Sequence, residues 1–148
     1  MKFKKFFSYL LFLLPWFISS ILFRVDKNYY LSLRLPFFAP SPVIFAIVWP
    51  ILYILIAYSI YKTYKDRNNV YTISLIFNYI FNQLYTFFFF VLKNNFLGLI
   101  DSIIVLITSI VLFIEIKKID KNKSYFLIPY ILWNIFAFIL SISIIILN

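Results

Sequence analysis

Five long apolar stretches, separated by short connections that hold most of the charged residues, constrain the fold of this chain more than any other feature. They cover approximately residues 6–23, 42–61, 70–92, 96–116 and 125–147. Each stretch is close to the roughly 20 apolar residues that an α-helix needs to cross a bilayer. The sequence therefore predicts an all-α membrane protein, a bundle of five transmembrane helices that forms a single domain over residues 1–148.

Composition favours the same environment. Of the 148 residues, 64% are hydrophobic and 13% are charged, whereas a soluble domain is roughly 45–50% apolar. A core of this size could not hide so much apolar surface from water. The chain has one glycine and few segments of alternating polarity, so helices, which satisfy their own backbone hydrogen bonds, are the expected spanning form.

The first apolar stretch has two interpretations. Its basic start and the small residues Ser19 and Ser20 also suit a secretory signal peptide. The apolar residues continue beyond that pair to Phe23. This continuation favours a retained first span.

Lysine and arginine residues are distributed unequally between the two sides of the predicted bundle. Of the 14, ten lie in the amino-terminal segment and the second and fourth connections, and four lie in the first and third connections. By the positive-inside rule, the amino terminus should face the cytoplasm, and the 24–41 connection should lie on the opposite side. Because the basic residues sit in short clusters between apolar stretches, the net charge of +9 indicates topology, and no nucleic-acid partner is expected.

Residue types that usually carry chemistry are scarce. The chain has no cysteine and no histidine, which excludes disulfides and thiolate metal sites and removes the commonest metal ligand and general base. It has no glycine-rich phosphate loop and no Ser/His/Asp set. We therefore expect no metal site, no cofactor and no set of hydrolytic residues, and we favour binding or transport over hydrolysis.

The connection over residues 24–41 is rich in proline and aromatic residues. Pro36, Pro40 and Pro42 fix φ and push each preceding residue out of the α region. This predicts an extended, semi-rigid segment over residues 35–41, with a helix that begins at Pro42 and has Ser41 as its N-cap.

The aromatic residues of the same connection allow two readings. Tyr29, Tyr30, Phe37 and Phe38 are of the kind that lies at the membrane interface. The alternative is a lid, because a proline-stiffened aromatic segment over a helix bundle can close a pocket. The residues of the connection leave both readings open.

Asp101 is the acid that lies within an otherwise apolar span. Ionisable residues inside a membrane are candidates for function. Asp101 also lies near the expected amino terminus of the fourth helix, where the helix dipole and Lys93 would stabilise a carboxylate. We favour this structural role.

Polar and aromatic residues of three spans recur at helical spacing. Asn78, Asn82 and Tyr85 share one face of the third span, where they either hold helices together or contact a buried ligand. Tyr53 follows Trp49 by one turn of the second span, and Ala137 follows Trp133 by one turn of the fifth. The two tryptophans form either a flat slot lined by aromatic faces or ordinary core packing.

Three blocks of the chain keep a specific spacing. The first contains Tyr29, Tyr30, Pro36, Phe38, Pro40, Ser41, Val43, Phe45, Val48, Trp49, Leu52 and Tyr53. The second contains Asn82, Tyr85, Phe89, Phe90 and residues 98–101, and the third contains Pro129, Tyr130, Trp133, Phe136, Ala137 and Leu140. Without a gap, these blocks resemble the patterns of the TspO/MBR family, the tryptophan-rich sensory proteins that include the mitochondrial translocator protein, or peripheral benzodiazepine receptor.

The resemblance implies a pocket beneath the first connection that binds porphyrins and, in some members, cholesterol or benzodiazepine-type drugs. The ligand-binding residues that it implies are Tyr30, Trp49, Tyr53, Asn82, Tyr85, Trp133, Ala137 and Leu140. The expected function is that of a porphyrin sensor, carrier or scavenger in the membrane. The resemblance also suggests a homodimer.

Two alternatives remain beside this reading. Some bacterial members of the family resemble light-dependent porphyrin-degrading catalysts, which would make Trp49 and Trp133 the reacting residues. The other alternative is a lipid or drug transporter with no preference for tetrapyrroles. The chain also departs from the family pattern, since Phe38 and Val43 replace lid tryptophans and Tyr85 replaces the tryptophan of the third span.

Overall fold

The computed structural model describes the backbone of residues 2–148 and the side chains from Lys4 onward. Within that part of the chain there is no β-strand, and five helical segments are long and apolar enough to cross a membrane. They are Lys4–Leu22, Pro42–Asp66, Asn69–Val91, Asn95–Ile119 and Lys121–Leu147. This confirms the predicted all-α bundle of five transmembrane helices. The side chain of Lys2, which the charge count above includes, lies outside the described set.

The first span is interrupted by a proline. Helix α1 (Lys2–Leu13) leads into a 3₁₀ turn, Leu14–Phe17, and then into α2 (Ile18–Leu22). Pro15 lacks the N–H that a continuous α-helix would need. The turn carries Trp16 into the bundle, where it is 3% exposed.

The connection between the first two spans contains a short helix that was not predicted, α3 (Lys27–Ser32). It forms because the Asp26 carboxylate accepts a hydrogen bond from the Tyr29 backbone N–H at 2.9 Å, which is an N-cap. The extended segment expected over residues 35–41 is also broken, because the Ala39 N–H bonds to the Pro36 carbonyl at 2.9 Å and closes a turn.

The second span starts at the predicted residue. Helix α4 (Pro42–Thr63) has Pro42 in its first turn, and Ser41 is its N-cap residue with extended backbone. The Ser41 side chain makes no capping hydrogen bond. Pro50 lies inside α4 without ending it.

The third span ends in an unusual way. Helix α5 (Asn69–Thr86) passes into a π-helical turn, Phe87–Val91, in which the Leu92 N–H bonds to the Phe87 carbonyl at 2.9 Å. Lys93 then adopts a left-handed conformation, with φ of 52°. Of the four phenylalanines in this turn, Phe89 is buried, with 3% of its surface exposed.

The last two spans follow directly. Helix α6 (Asn95–Ile119) is capped by the Asn94 side chain, which accepts from the Leu97 N–H at 3.0 Å. A short α7 (Lys121–Ser124) and a 3₁₀ turn lead into α8 (Ile128–Leu147).

The two ends of the bundle are packed differently. At the end away from the 24–41 connection, α5, α6 and α8 enclose a solid apolar cluster of side chains with no solvent exposure: Tyr71, Leu112, Ile116 and Leu127. Isoleucine and phenylalanine side chains cover the outside of the bundle, as suits a lipid environment. At the end near the connection, the bundle is hollow, and this hollow is the candidate site.

Candidate functional site

A cavity of about 380 Å³ lies beneath the 24–41 connection, and all five spans contribute to its wall. Its volume falls within the roughly 300–1,000 Å³ that is usual for small-molecule sites. Most of the lining is apolar and aromatic, with a few polar groups. The volume and the lining make this cavity the candidate ligand site.

The eight residues singled out from the sequence come together in the wall of this one cavity. The lining includes Tyr30, Trp49, Tyr53, Asn82, Tyr85, Trp133, Ala137 and Leu140. They come from the connection, α4, α5 and α8, which are far apart in the sequence. That these residues bind a ligand stays a prediction.

The two tryptophans of the wall form a corner. Trp49 and Trp133 lie with ring centroids 6.4 Å apart and their planes at 86°, an edge-to-face contact of the kind that aromatic pairs prefer. Tyr53 continues one side of the corner, 5.5 Å from Trp49, and Phe45 continues the other, 5.8 Å from Trp133. A flat slot between the two indoles, one of the two readings above, is therefore absent.

A hydrogen-bonded polar layer forms the floor of the cavity. The Tyr53 hydroxyl donates to Asn82 Oδ1 at 3.0 Å, and Asn82 Nδ2 donates to the Tyr130 hydroxyl at 3.1 Å. The Tyr130 hydroxyl in turn donates to Asn78 Oδ1 at 3.0 Å, and Asn78 Nδ2 donates to the Val105 carbonyl, also at 3.0 Å. The layer thus joins α4, α5, α6 and α8. Asn78 and Asn82 hold helices together, and Asn82 also lines the cavity.

The first span joins the same layer through Gln83. The Ser19 N–H donates to Gln83 Oε1 at 2.7 Å, and Gln83 Nε2 donates to the Trp16 carbonyl at 3.3 Å. The two backbone groups lie in the 3₁₀ turn and in the first turn of α2, next to the proline break of the first span. Trp16 itself stacks on Tyr53, with ring centroids 5.6 Å apart.

The 24–41 connection lies over the cavity as a lid. Tyr30 is 3% exposed, and its hydroxyl donates to the Pro40 carbonyl at 2.9 Å, which ties the short helix to the proline segment. The ring of Tyr30 packs edge-on against Phe45. Val25 and Lys27 of the lid also line the cavity.

The lid is fastened to the bundle at one end by Asp26 and Tyr29. Asp26 pairs with Lys93 at 3.1 Å, and the Tyr29 hydroxyl donates to Asn95 Oδ1 at 2.8 Å. The Tyr29 backbone N–H and then Lys93 hold the pKa of the Asp26 carboxyl below its ordinary value. We call the Asp26–Lys93 and Tyr29–Asn95 contacts the lid latch.

The other end of the lid meets the last residue of the chain. The Arg34 N–H donates to Asn148 Oδ1 at 2.9 Å, and Asn148 Nδ2 donates back to the Arg34 carbonyl at 3.1 Å. The lid is therefore held at both ends over one side of the cavity.

Asp101 has a different environment from the one expected. Lys93, its anticipated partner, pairs with Asp26 instead. Asp101 is the seventh residue of α6, is 1% exposed, and lines the cavity. Neither of its carboxyl oxygens has a hydrogen-bond partner among the described residues. The interpretation of Asp101 as a helix-terminus residue stabilised by Lys93 is therefore wrong.

Two more polar groups of the cavity wall lack partners. In the part of the chain with described side chains, Trp133 Nε1 and Asn134 Nδ2 are buried and make no hydrogen bond. Sequence reasoning missed Asn134, although an asparagine next to Trp133 in an apolar span was a usable signal. It placed Phe89 and Phe90 in the second block of the family resemblance but did not assign them to the ligand site, and both line the cavity.

Comparison with known proteins agrees with this architecture. The profile of the TspO/MBR family matches residues 7–147, which is nearly the whole chain. The chain belongs to the TspO/MBR family. It is 36% identical over 135 residues to the tryptophan-rich protein TspO of Bacillus cereus, covering 89% of this chain and 88% of that one.

Two further relatives extend the family match. The TspO/MBR chain is 38% identical over 130 residues to the uncharacterized membrane protein YtaB of Bacillus subtilis, covering 85% of this chain and 84% of that one. It is 32% identical over 125 residues to the tryptophan-rich protein TspO of Archaeoglobus fulgidus, covering 82% and 81%. This TspO/MBR member is a multi-pass integral membrane protein.

Proposed function

We propose that this TspO/MBR protein binds a porphyrin or related tetrapyrrole in the lid-covered cavity, as a sensor, carrier or scavenger. Cholesterol-like and benzodiazepine-type molecules form the second ligand group. The observation that carries the proposal is the convergence of eight residues, chosen from the sequence through the family resemblance, on one covered cavity. Membrane lipid and a second copy of the chain are the other partners that we expect.

The physical basis is the transfer of an apolar ring system out of water. Burial is worth about 25 cal/mol per Å² of apolar surface, and the Trp49–Trp133 corner offers two aromatic faces at right angles. Lys27 is the basic side chain of the lid that lines the cavity, whereas Arg24 and Arg34 are not among its lining residues. A ligand carboxylate at the lid end would therefore meet Lys27.

The orientation of the protein is part of the proposal. The ten to four distribution of lysine and arginine supports an amino terminus in the cytoplasm. The lid and the carboxyl terminus would then lie on the opposite side of the membrane, and a ligand would enter from there or from the outer leaflet.

A protoporphyrin titration in the dark tests the function. We expect saturable quenching of tryptophan fluorescence in the purified protein. Trp49→Ala and Trp133→Ala should each weaken affinity at least about tenfold, because each removes a buried aromatic contact worth roughly 1.5–3 kcal/mol.

The matched control is Phe126→Ala. Phe126 is a half-buried aromatic residue that packs on Tyr58, with ring centroids 5.0 Å apart, and it is not a lining residue. Its removal should leave affinity unchanged. Non-saturable binding, or equal losses in all three variants, would refute the proposed site. Saturable binding of cholesterol or a benzodiazepine in place of porphyrin would instead support a transporter or receptor with no tetrapyrrole preference.

Light-dependent porphyrin degradation is the second candidate function, and the contact between Trp49 and Trp133 in the cavity wall favours it. Two indoles in contact at a ligand site are placed to react with an excited porphyrin. Illumination of the complex in air should then bleach the porphyrin absorption, with no loss in the dark. Bleaching at the same rate in Trp49→Phe and Trp133→Phe would exclude a role for these two residues.

A further inference from the structure

The unexplained group in the cavity wall is the carboxyl of Asp101. It lies in the membrane-spanning part of α6, it is 1% exposed, and neither oxygen has a hydrogen-bond partner among residues 4–148. Buried polar groups in proteins are almost always paired, and ionisable residues within a membrane mark functional sites. The side chain therefore requires a partner from outside the described chain.

The contrast with Glu115 argues against a merely structural role for Asp101. Glu115 is the other buried acid of α6, and it is fully paired: Asn68 Nδ2 donates to Oε2 at 2.6 Å, and the Lys118 ammonium pairs with Oε1. Helix α6 thus carries an acid with hydrogen-bonding partners in the part of the bundle that is solid. Where the bundle is hollow, the acid is left unpaired and faces the cavity.

No lysine or arginine among the described side chains pairs with Asp101. Lys27 of the lid lines the same cavity, but the ion pairs of the described side chains are Asp26–Lys93 and Glu115–Lys118. Asp101 is six residues from the start of α6, which at 1.5 Å per residue is about 9 Å below the lid end of the helix. A ligand that fills the cavity would pass directly beside it.

Two unpaired donors accompany this acceptor. Trp133 Nε1 and Asn134 Nδ2 lie on α8, which packs against α6, and both residues line the cavity. Among the buried polar atoms of the cavity wall, an unpaired acceptor therefore lies on one helix and unpaired donors lie on another. This combination suits an apolar molecule that has an N–H group and, elsewhere on the molecule, an acceptor such as a carbonyl.

We propose that Asp101 determines ligand specificity by accepting a hydrogen bond from an N–H group, neutral or protonated, on an otherwise apolar ligand. Trp133 and Asn134 bind an acceptor of the same ligand. The inference rests on the proposed function to the extent that both use the lid-covered cavity. It concerns the polar group of the ligand and does not require the ligand to be a porphyrin.

Three pyrene derivatives separate the chemistries. 1-Pyrenylmethylamine carries an ammonium group, N-(1-pyrenylmethyl)acetamide carries a neutral N–H and a carbonyl, and 1-pyrenylmethyl acetate is the oxygen analogue of the amide with no N–H. Energy transfer from tryptophan to pyrene, measured in lipid nanodiscs, reports binding in the protein. For the wild type, we expect the amide to bind about 3- to 10-fold more tightly than the ester, the effect of one hydrogen bond.

The variants Asp101→Asn and Asp101→Leu sharpen the test. Asparagine keeps an acceptor but cannot become a carboxylate beside a bound ammonium, so only the amine should lose affinity, by about tenfold or more, because the bond between charged partners is the stronger one. Leucine removes the acceptor, so the amide should fall to the affinity of the ester. The ester should bind both variants as it binds the wild type. Glu115→Gln is the matched control, and it should change none of the three affinities.

The results with the three pyrene ligands test the role of Asp101 independently of porphyrin binding. Equal affinities of amide and ester for the wild type would overturn it, as would equal losses of all three ligands in the Asp101 variants. Failure of all three to bind the wild type would also overturn it, because the proposed site requires only an apolar body with an N–H. Loss of protoporphyrin binding with a retained preference for amide over ester would refute the porphyrin proposal and leave the role of Asp101 standing.

Discussion

The polar groups of the cavity floor and those of its wall differ in hydrogen bonding, although they share helices of the bundle. The floor groups are paired with one another, whereas several wall groups are unpaired. In the floor, Asn78 donates to the Val105 carbonyl and Thr108 Oγ1 and accepts from Tyr130. In the wall, the Asn134 amide nitrogen has no partner among the described side chains. The floor residues link the helices of the bundle, whereas the wall residues leave buried polar atoms unpaired at the cavity. Asparagine is thus fully hydrogen-bonded where neighbouring helices close upon it and partly unpaired where they leave a cavity.

The largest effect that tests this comparison is on stability. Asn78→Leu removes three hydrogen bonds and leaves the Tyr130 hydroxyl without its acceptor. We expect it to lower the free energy of unfolding by about 2–4 kcal/mol, since membrane hydrogen bonds average roughly 0.6 kcal/mol and unpaired buried groups cost more. Thermal unfolding in detergent, followed by tryptophan fluorescence, measures the change.

Asn134→Leu is the matched substitution in the wall. Because its amide nitrogen makes no hydrogen bond, the change should alter the free energy of unfolding by less than about 1 kcal/mol. If the two asparagine variants were destabilised equally, the distinction between floor and wall would be wrong.

A smaller effect is expected at Gly98, where α6 meets the π-helical turn. A Cβ at this position would lie 3.2 Å from Cδ2 of Phe89. Phe89 is 3% exposed, stacks on Tyr85 with ring centroids 5.6 Å apart and lines the cavity, so a shift of its ring toward the cavity would disturb this stacking. Overpacking costs about 1–3 kcal/mol, and the higher helix propensity of alanine returns about 1 kcal/mol. Gly98→Ala should therefore destabilise the protein by about 1 kcal/mol in the same assay, whereas a gain in stability would mean that Phe89 moves freely.

The spans could be predicted from the sequence because each depends on about twenty consecutive residues and on no distant contact. The start of α4 could likewise be predicted from nearby residues, because proline suits the first turn of a helix and is unsuited to its interior, and Pro42 lies in the first turn of α4. Periodicity places Trp49 and Trp133 each on its own helix and cannot relate two helices, so the choice between a ligand site and ordinary core packing depended on the family resemblance.

What could not be predicted depends on contacts between distant segments. Lys93 lies close to Asp101 in the sequence, yet it pairs with Asp26, because the lid returns to the end of the third span. Because Lys93 pairs with Asp26, Asp101 does not have Lys93 as its partner. The π-helical turn was invisible for a related reason, since a run of four phenylalanines has no periodicity to reveal a change of helix type.

The smallest predicted effect concerns the lid latch. Removing its ion pair tests whether the latch keeps the lid closed over the cavity. Asp26→Asn and Lys93→Met each remove the exposed ion pair between Asp26 and Lys93 and leave the Tyr29–Asn95 hydrogen bond in place. Exposed ion pairs contribute little, so we expect the release rate of 1-pyrenylmethyl acetate to rise only about two- to fivefold. Stopped-flow dilution of the nanodisc complex measures that rate. Arg34→Ala is the control, because Arg34 contacts Asn148 through its backbone alone.

The pH dependence of this release shows whether the charge on Asp26 favours the closed or the open lid. The Tyr29 N–H and Lys93 hold the pKa of Asp26 below its ordinary value, so the charged carboxylate favours the closed lid wherever it remains ionised. This contribution is complete above the ordinary aspartate pKa of about 4 and is lost as the pH falls through the lowered pKa. Release from the wild type should therefore be constant from neutral pH to about pH 5 and accelerate below about pH 4, whereas Asp26→Asn should show no such acceleration. The ester has no ionisable group, so an acceleration shared by both proteins would assign the effect to another part of the lid.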